Sequence, residues 1–436
     1  MRLIRLLKND LARESAQWVE QGLITRQQAE AICAVYGADY SVASQAARGY
    51  RVLVVLGYGF IGLALITLLS ANWDTLPRAL RMGGLLCLTV AVNGAALWLF
   101  QRGRDRAAER LFGLGTLVYG ASIILIAQIY HLGEHMPDGV FWWALGGLPA
   151  ALLLRSPGLA LLVLCLAAIW SFIELQLGYY PMTFALFLVS AGYVLWAGRR
   201  SVLLFLALVG SLGFWLEASL SAHWADGPTG LAWHAEQLPV GVAYFALAYA
   251  VSHGLNAQPG STARDYATVL SLWILRFALF TLFVLSYHGP WRSLIRADWA
   301  HQGSMWAVVA VLAVAALLVG QRVGKAVPVS AAVGSAMAVF AAVANLAEPE
   351  HALAFQVLSN LVIVAFAVWL VVAGVRDGES QAFFLGVAAI VLLALLRYID
   401  LIGDYVGTAA LFIVMACVLL GAARYWRTRQ RLGDDT

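Results

Sequence analysis

Polar and apolar positions along this chain fall into long blocks instead of alternating. Apolar runs lie near residues 52–70, 82–100, 111–129, 140–154, 157–173, 181–198, 201–220, 238–254, 268–287, 304–320, 326–346, 352–374, 381–396 and 406–423. Most are roughly 17 to 23 residues long, which at 1.5 Å per residue matches a hydrocarbon core of about 30 Å. The pattern predicts an all-α, polytopic bundle of fourteen transmembrane helices. The fourth and fifth runs are short and share the link Arg155-Ser156-Pro157-Gly158. They are either two tilted helices or a re-entrant pair.

Ahead of the first run, residues 9–37 read as a helical hairpin: a helix near Asp10 to Glu20, the break Gln21-Gly22-Leu23-Ile24, and a second helix from Thr25. Thr25 and Gln28 have the spacing of a capping box, in which each side chain satisfies the other residue's free backbone N–H. Leu11, Trp18, Leu23, Ile24, Ala29, Ile32 and Tyr36 form a candidate apolar seam. A unit of this size buries little core alone, so it docks on the protein's own membrane face or on a partner. The expected organisation is a cytoplasmic hairpin over 1–50, a transmembrane domain over 51–424 and a basic cytoplasmic tail over 425–436.

Composition agrees with lipid as the solvent. The chain is 62% hydrophobic and 12% charged, against about 25% charged in soluble domains. Lysine and arginine accumulate in cytoplasmic loops. With the N-terminus inside, 22 of the 28 basic residues fall on that side; Arg78, Arg81, Arg292, Arg296 and Arg397 fall outside, and Arg276 lies within a run. An odd number of spans would mix the two populations, so both termini are expected in the cytoplasm, with fourteen spans or twelve plus a re-entrant pair. The polar N-terminus shows no removable signal peptide. Cys33, Cys87, Cys165 and Cys417 offer neither a disulfide framework nor a zinc pattern. No nucleic-acid partner is expected.

Two motifs match chemistry by letter and fail by context. "VLGYGFIG" (55–62) carries the G-x-G-x-x-G spacing, but its run has no polar helix face for a nucleotide-binding unit. Small residues that let helices approach in lipid explain the glycines. His131-Leu132-Gly133-Glu134-His135 spells H-x-x-E-H, whose zinc chemistry needs both imidazoles on one helix face and a third ligand. Gly133 and the following Pro137 favour a loop, and no third ligand is legible. No cofactor, metal or catalytic set is therefore assigned.

Arg276 is more informative. Arginine at a helix centre costs about 2.5 to 3.5 kcal/mol on insertion scales, and intramembrane charges mark functional sites by default. It should face protein or water, with Glu217 as a candidate partner. Asn93 and Asn360, also inside runs, are candidates for the same path or for interhelical hydrogen bonding. The outer ends add His131, Glu134, His135, Arg397, Asp400 and Asp404, together with Trp73, Trp142, Trp143, Trp224, Trp233, Trp291 and Trp299. Seven of the eight histidines (His131, His135, His223, His234, His288, His301 and His351) fall on this side. An aromatic belt accounts for many of the tryptophans; a polar, aromatic cavity is the alternative. A faint repeat relates the stretch from Arg155 to that from Arg200, with Trp170 and Trp215 fifteen residues after each arginine.

The head "WVEQGLITRQQAEAI" (18–32), the loop "ANWDTLPRALRM" (71–82) and the stretch "AQIYHLGEHMPDGVFWWALGGLPAALLLRSPGLALL" (127–162) resemble a bacterial family of inner-membrane proteins catalogued as domain of unknown function 2157. A weaker likeness lies in "LLRYIDLIGDYVGTAALF" (395–412). The resemblance implies a bacterial inner-membrane location and a small membrane-anchored partner protein, and it implies no chemistry. Residue content points to a transporter or flippase-like protein for a lipid-linked or small polar substrate. The alternative is a membrane scaffold or assembly factor that binds partners through the head and outer loops.

Overall fold

The computed structural model describes residues 77–131, 135–224, 234–324, 326–377 and 380–400, with 21–36 and the single positions 11, 14, 15, 18, 19 and 413. Of these residues 86% are helical and none is in a strand. The apolar run 52–70, the run 406–423 apart from position 413, the glycine motif and the basic tail lie outside the described residues. Contacts divide the chain into two compact units, Met1–Gly139 and Val140–Thr436.

In the first unit, α1 (Arg26–Val35) begins behind the expected capping box. Gln28 N–H donates to Thr25 Oγ1 at 3.3 Å and Thr25 N–H to Gln28 Oε1 at 2.8 Å. Of the expected seam, Ala29 is buried, Leu11, Trp18, Ile24, Ile32 and Tyr36 are half-buried, and Leu23 is 68% exposed. Cys33 and Ser15 are buried as well, with Cys33 Sγ 3.8 Å from Ser15 Oγ. Leu23 belongs to the break, where Gly22 at φ +72° turns the chain.

Helices α2 (Arg78–Gln101) and α3 (Asp105–Tyr130) pair across a tight turn containing Gly103 at φ +71°. Thr89 and Ser122 hydroxyls meet at 3.0 Å between them. Asn93 Nδ2 donates to Thr89 O at 2.9 Å and, at 3.5 Å, to Gly115 O on α3. A Cβ on Gly115 would collide with the Asn93 amide, so the small residue is what admits the polar one.

Helix α4 (Met136–Leu153) leads into the second unit, which holds α5 (Pro157–Gln176), α6 (Phe184–Ala197), α7 (Val202–Trp224) and α8 (Gln237–Asn256). There follow α9 (Ser261–Val284), α10 (His288–Arg296), α11 (Gln302–Arg322), α12 (Ala326–Asn345), α13 (Ala352–Asp377) and α14 (Ser380–Asp400). Every apolar run that falls on described residues is a helix. Among the described residues nine helices (α2, α3, α5, α7, α8, α9, α11, α13 and α14) are long and apolar enough to cross a membrane; α6 and α12 contribute shorter apolar helices. The link between α4 and α5 is a three-residue turn with Arg155 at φ +46°, and Ser156 caps α5 by accepting from Leu159 N–H.

Helix α8 packs against α7, α9, α11 and α12. On α7, Gly213 leaves room for the Tyr244 ring of α8, whose hydroxyl donates to Val209 O at 2.6 Å. Helix α9 is held from two sides: Leu270 and Ile274 pack toward α7 and α8, and Leu279 joins the α13–α14 core of Ile363, Ala367, Leu370 and Ile390. Gly374 and Gly386 bring α13 and α14 into backbone contact.

The two ends of this bundle differ. One gathers Leu220 and Trp224 of α7, Val240 of α8, Leu285, Trp291, Trp299, Met305 of α11, Val343 of α12 and Ala352 of α13 into one buried cluster. It is called here the tryptophan-rich end. At the opposite end Ala250, Ala316, Val329 and Val333 pack together, and Arg200 donates to Thr262 where α7 begins beside α9.

The sequence pattern did not anticipate α10. Its Trp291, Leu294 and Ile295 pack into the tryptophan-rich cluster while Arg292, Ser293 and Arg296 stay exposed. Apolar residues at i, i+3 and i+4 make it a nine-residue amphipathic helix rather than a span.

Candidate functional site

The tryptophan-rich end holds two polar clusters. The first surrounds the start of α8. Glu236 occupies its N-cap position and is fully buried; its Oε1 accepts from His301 N–H at 2.9 Å. Gln237 ties three segments together, accepting from His234 N–H at 3.2 Å and donating to Glu217 O at 3.2 Å. Trp224 lies parallel to His301 with ring centroids 5.6 Å apart, and its Nε1–H donates to Ser304 Oγ at 2.7 Å. The His234 ring stands edge-on to both, 5.1 Å from His301 and 5.9 Å from Trp224.

Three atoms in this cluster are buried without a hydrogen-bond partner: Glu217 Oε2, His234 Nε2 and Glu236 Oε2. Glu217 lies against α8 one turn in, since a Cβ on Gly241 would stand 3.3 Å from its Oε1. Buried polar atoms are matched in the great majority of native positions, so a group of unmatched ones calls for an explanation such as a ligand or ordered water. Two carboxylate oxygens and an imidazole nitrogen beside stacked aromatic faces can receive a guest rich in hydroxyl or amine donors.

The second cluster joins α9, α10, α13 and α14. Trp291 Nε1–H donates to Leu285 O at 2.6 Å and lies 3.2 Å from Ser359 Oγ. Asn360 Nδ2 donates to Gln356 O at 2.9 Å and reaches Ser286 O at 3.5 Å. Arg397 Nη2 reaches Ser286 Oγ at 3.4 Å, with its guanidinium 4.7 Å from the Tyr287 ring centroid. Asn360 and Arg397, picked out separately in the sequence, therefore meet at one serine.

The other expected residues are dispersed. Asn93 bonds within the α2–α3 pair. Glu217 belongs to the first cluster, but no ion pair joins it to Arg276, which is exposed on α9 beside Trp273 at 5.3 Å. His131 caps α3 in a left-handed conformation and His135 directly precedes α4, so the H-x-x-E-H letters straddle two helices. Glu134 and Asp404 lie outside the described residues, as does the side chain of Asp400.

Sequence reasoning missed Glu236, Gln237 and Ser304. An acidic residue followed by Gln-Leu-Pro just ahead of an apolar run has the makings of a helix start, which was the one available signal for Glu236.

Residues 16–160 match the model of a family described as predicted membrane protein (DUF2157). The matched region covers the head, α2 to α4 and the start of α5; it ends before the tryptophan-rich cluster. No curated protein and no solved structure matches the chain. The protein is a membrane protein with several apolar helices.

Proposed function

We propose that the chain is a bacterial inner-membrane transport protein, flippase-like in kind, that receives a small polar or lipid-linked substrate at the tryptophan-rich end. The observation that carries this reading is the trio of unmatched buried atoms, Glu217 Oε2, His234 Nε2 and Glu236 Oε2. Buried polar atoms beside Trp224 and His301 suit a hydroxyl-bearing headgroup, whose groups complete the hydrogen bonds and whose carbon face lies on the rings. Arg199, Arg200, Arg264, Arg322 and Arg376 sit at the far ends of the same helices, which supports a cytoplasmic location for that end and for both termini. The binding end then faces outward.

Reconstitution tests this directly. In vesicles carrying a fluorescent glycosylated lipid, the protein should expose the inner-leaflet label to an added quencher faster than empty vesicles do. Glu236→Gln should slow that exposure about tenfold, the scale of one lost charged hydrogen bond. Indistinguishable rates with and without protein would end the transport reading.

A partner-binding role for the head is the second reading, favoured by the exposure of Leu23 and Val35 on and beside α1. Removal of residues 1–40 should then leave transport intact while a small membrane-anchored partner ceases to co-purify.

A further inference from the structure

Arg276 lies on a stripe of α9 that the bundle leaves uncovered. Trp273, Phe277 and Phe280 are 42%, 48% and 67% exposed, and Arg276 is exposed between them. Their spacing of i, i+3, i+4 and i+7 is one helix face. The remaining faces are occupied by α7 and α8 on one side and by α13 and α14 on the other. At 1.5 Å per residue the arginine stands about 12 Å from the end of the helix at Val284. Its guanidinium rests 5.3 Å from the Trp273 ring centroid, which polarises the ring without cancelling the charge.

Among the described residues no acidic side chain pairs with it. Within the apolar stretches of the helices the acids are Glu174 and Glu217. Glu174 accepts from Trp170 Nε1–H at 3.0 Å near the end of α5. Glu217 is enclosed at the α7–α8 contact. The runs 52–70 and 406–423 contain no aspartate or glutamate at all. Within the apolar runs, then, the sequence offers Arg276 no counter-charge beyond these two glutamates. A second copy related by a two-fold axis through this stripe would set Arg276 against its own equivalent. A lipid phosphate is the other external counter-charge, and it would draw the side chain along the helix toward the bilayer rim.

We infer that the Trp273–Arg276–Phe277–Phe280 face docks a transmembrane helix of another protein that carries a carboxylate at mid-membrane depth. The aromatic side chains exclude lipid and water around the pair, and the arginine sets the register of the incoming helix. This docking is independent of the substrate site on α7, α8 and α11.

The test uses the full-length protein in nanodiscs of neutral phosphatidylcholine, with labelled single-span leucine peptides bearing a central Glu or a central Gln. The Glu peptide should bind at least tenfold more tightly. Arg276→Gln should abolish the preference, and Arg276→Glu should transfer it to a peptide with a central Lys. Equal binding of the two peptides to the unaltered protein overturns the inference without reliance on any variant. So does a phosphatidylglycerol molecule, seen by native mass spectrometry in mixed nanodiscs, that Arg276→Gln loses while both peptides bind alike, because the counter-charge is then a lipid.

Discussion

Two clusters at the tryptophan-rich end use the same materials, buried indoles, hydroxyls and the ends of helices, and reach different states. Around Trp291 the donors are nearly all consumed: the indole on Leu285 and Ser359, Ser359 on Phe355, Ser286 on Phe283. Two atoms are left over, Asn360 Oδ1 and the Nε of Arg397, whose Nη2 reaches Ser286 Oγ. Around the start of α8, two carboxylate oxygens and an imidazole nitrogen have no hydrogen-bond partner. The first arrangement fixes α10 to the bundle. The second holds hydrogen-bonding capacity without a partner among the described residues, and that difference is what the proposed binding role rests on.

Substitutions can break or sharpen this contrast. The largest effect is expected at Trp291→Ala, which empties a buried site in the braced cluster and should cost about 3–5 kcal/mol in detergent unfolding. Loss of less than 1 kcal/mol would show that α10 is not held as described.

Glu217→Met should act in the opposite direction. Removing an unmatched buried acceptor should raise stability by about 1–3 kcal/mol while transport is lost, a trade between stability and function. A lower melting temperature for this variant would mean that Oε2 has a partner within the protein, and the contrast would fail.

Trp224→Phe keeps the ring and removes the Nε1–H donated to Ser304, for an expected cost of about 1 kcal/mol. The smallest change is Asn360→Leu, at about 0.6 kcal/mol, the average worth of a side-chain hydrogen bond within a membrane bundle. If it exceeded the Trp291→Ala effect, the order of the two roles in the brace would be reversed.

The helices were legible because lipid leaves the backbone no other way to satisfy its N–H and C=O groups. Their ends were less so. The run that begins at 268 belongs to a helix that starts at Ser261, since hydropathy marks where hydrocarbon begins, and a helix continues past it through residues such as Arg264 and Asp265. Helix α10 escaped notice because its low overall hydrophobicity hides a three-residue apolar face. In the candidate site, Glu217 stood out as a carboxylate in an apolar run, whereas Glu236 sits two residues ahead of the run that begins at 238, outside the apolar pattern. That Asn360 and Arg397 share Ser286 depends on contacts across 74 and 111 residues, which periodicity along one chain does not encode.

The Tyr244 hydroxyl on Val209 has a bearing on how α7 can move. In an α-helix that carbonyl already accepts from the amide four residues on, at Gly213, where no side chain stiffens the turn. With a phenol from α8 as a standing second donor, the ladder can open at this point and Val209 O still has a partner inside the bilayer. A bend in α7 located there would swing the segment carrying Glu217 and Trp224 while the half near Arg200 stays anchored to α9.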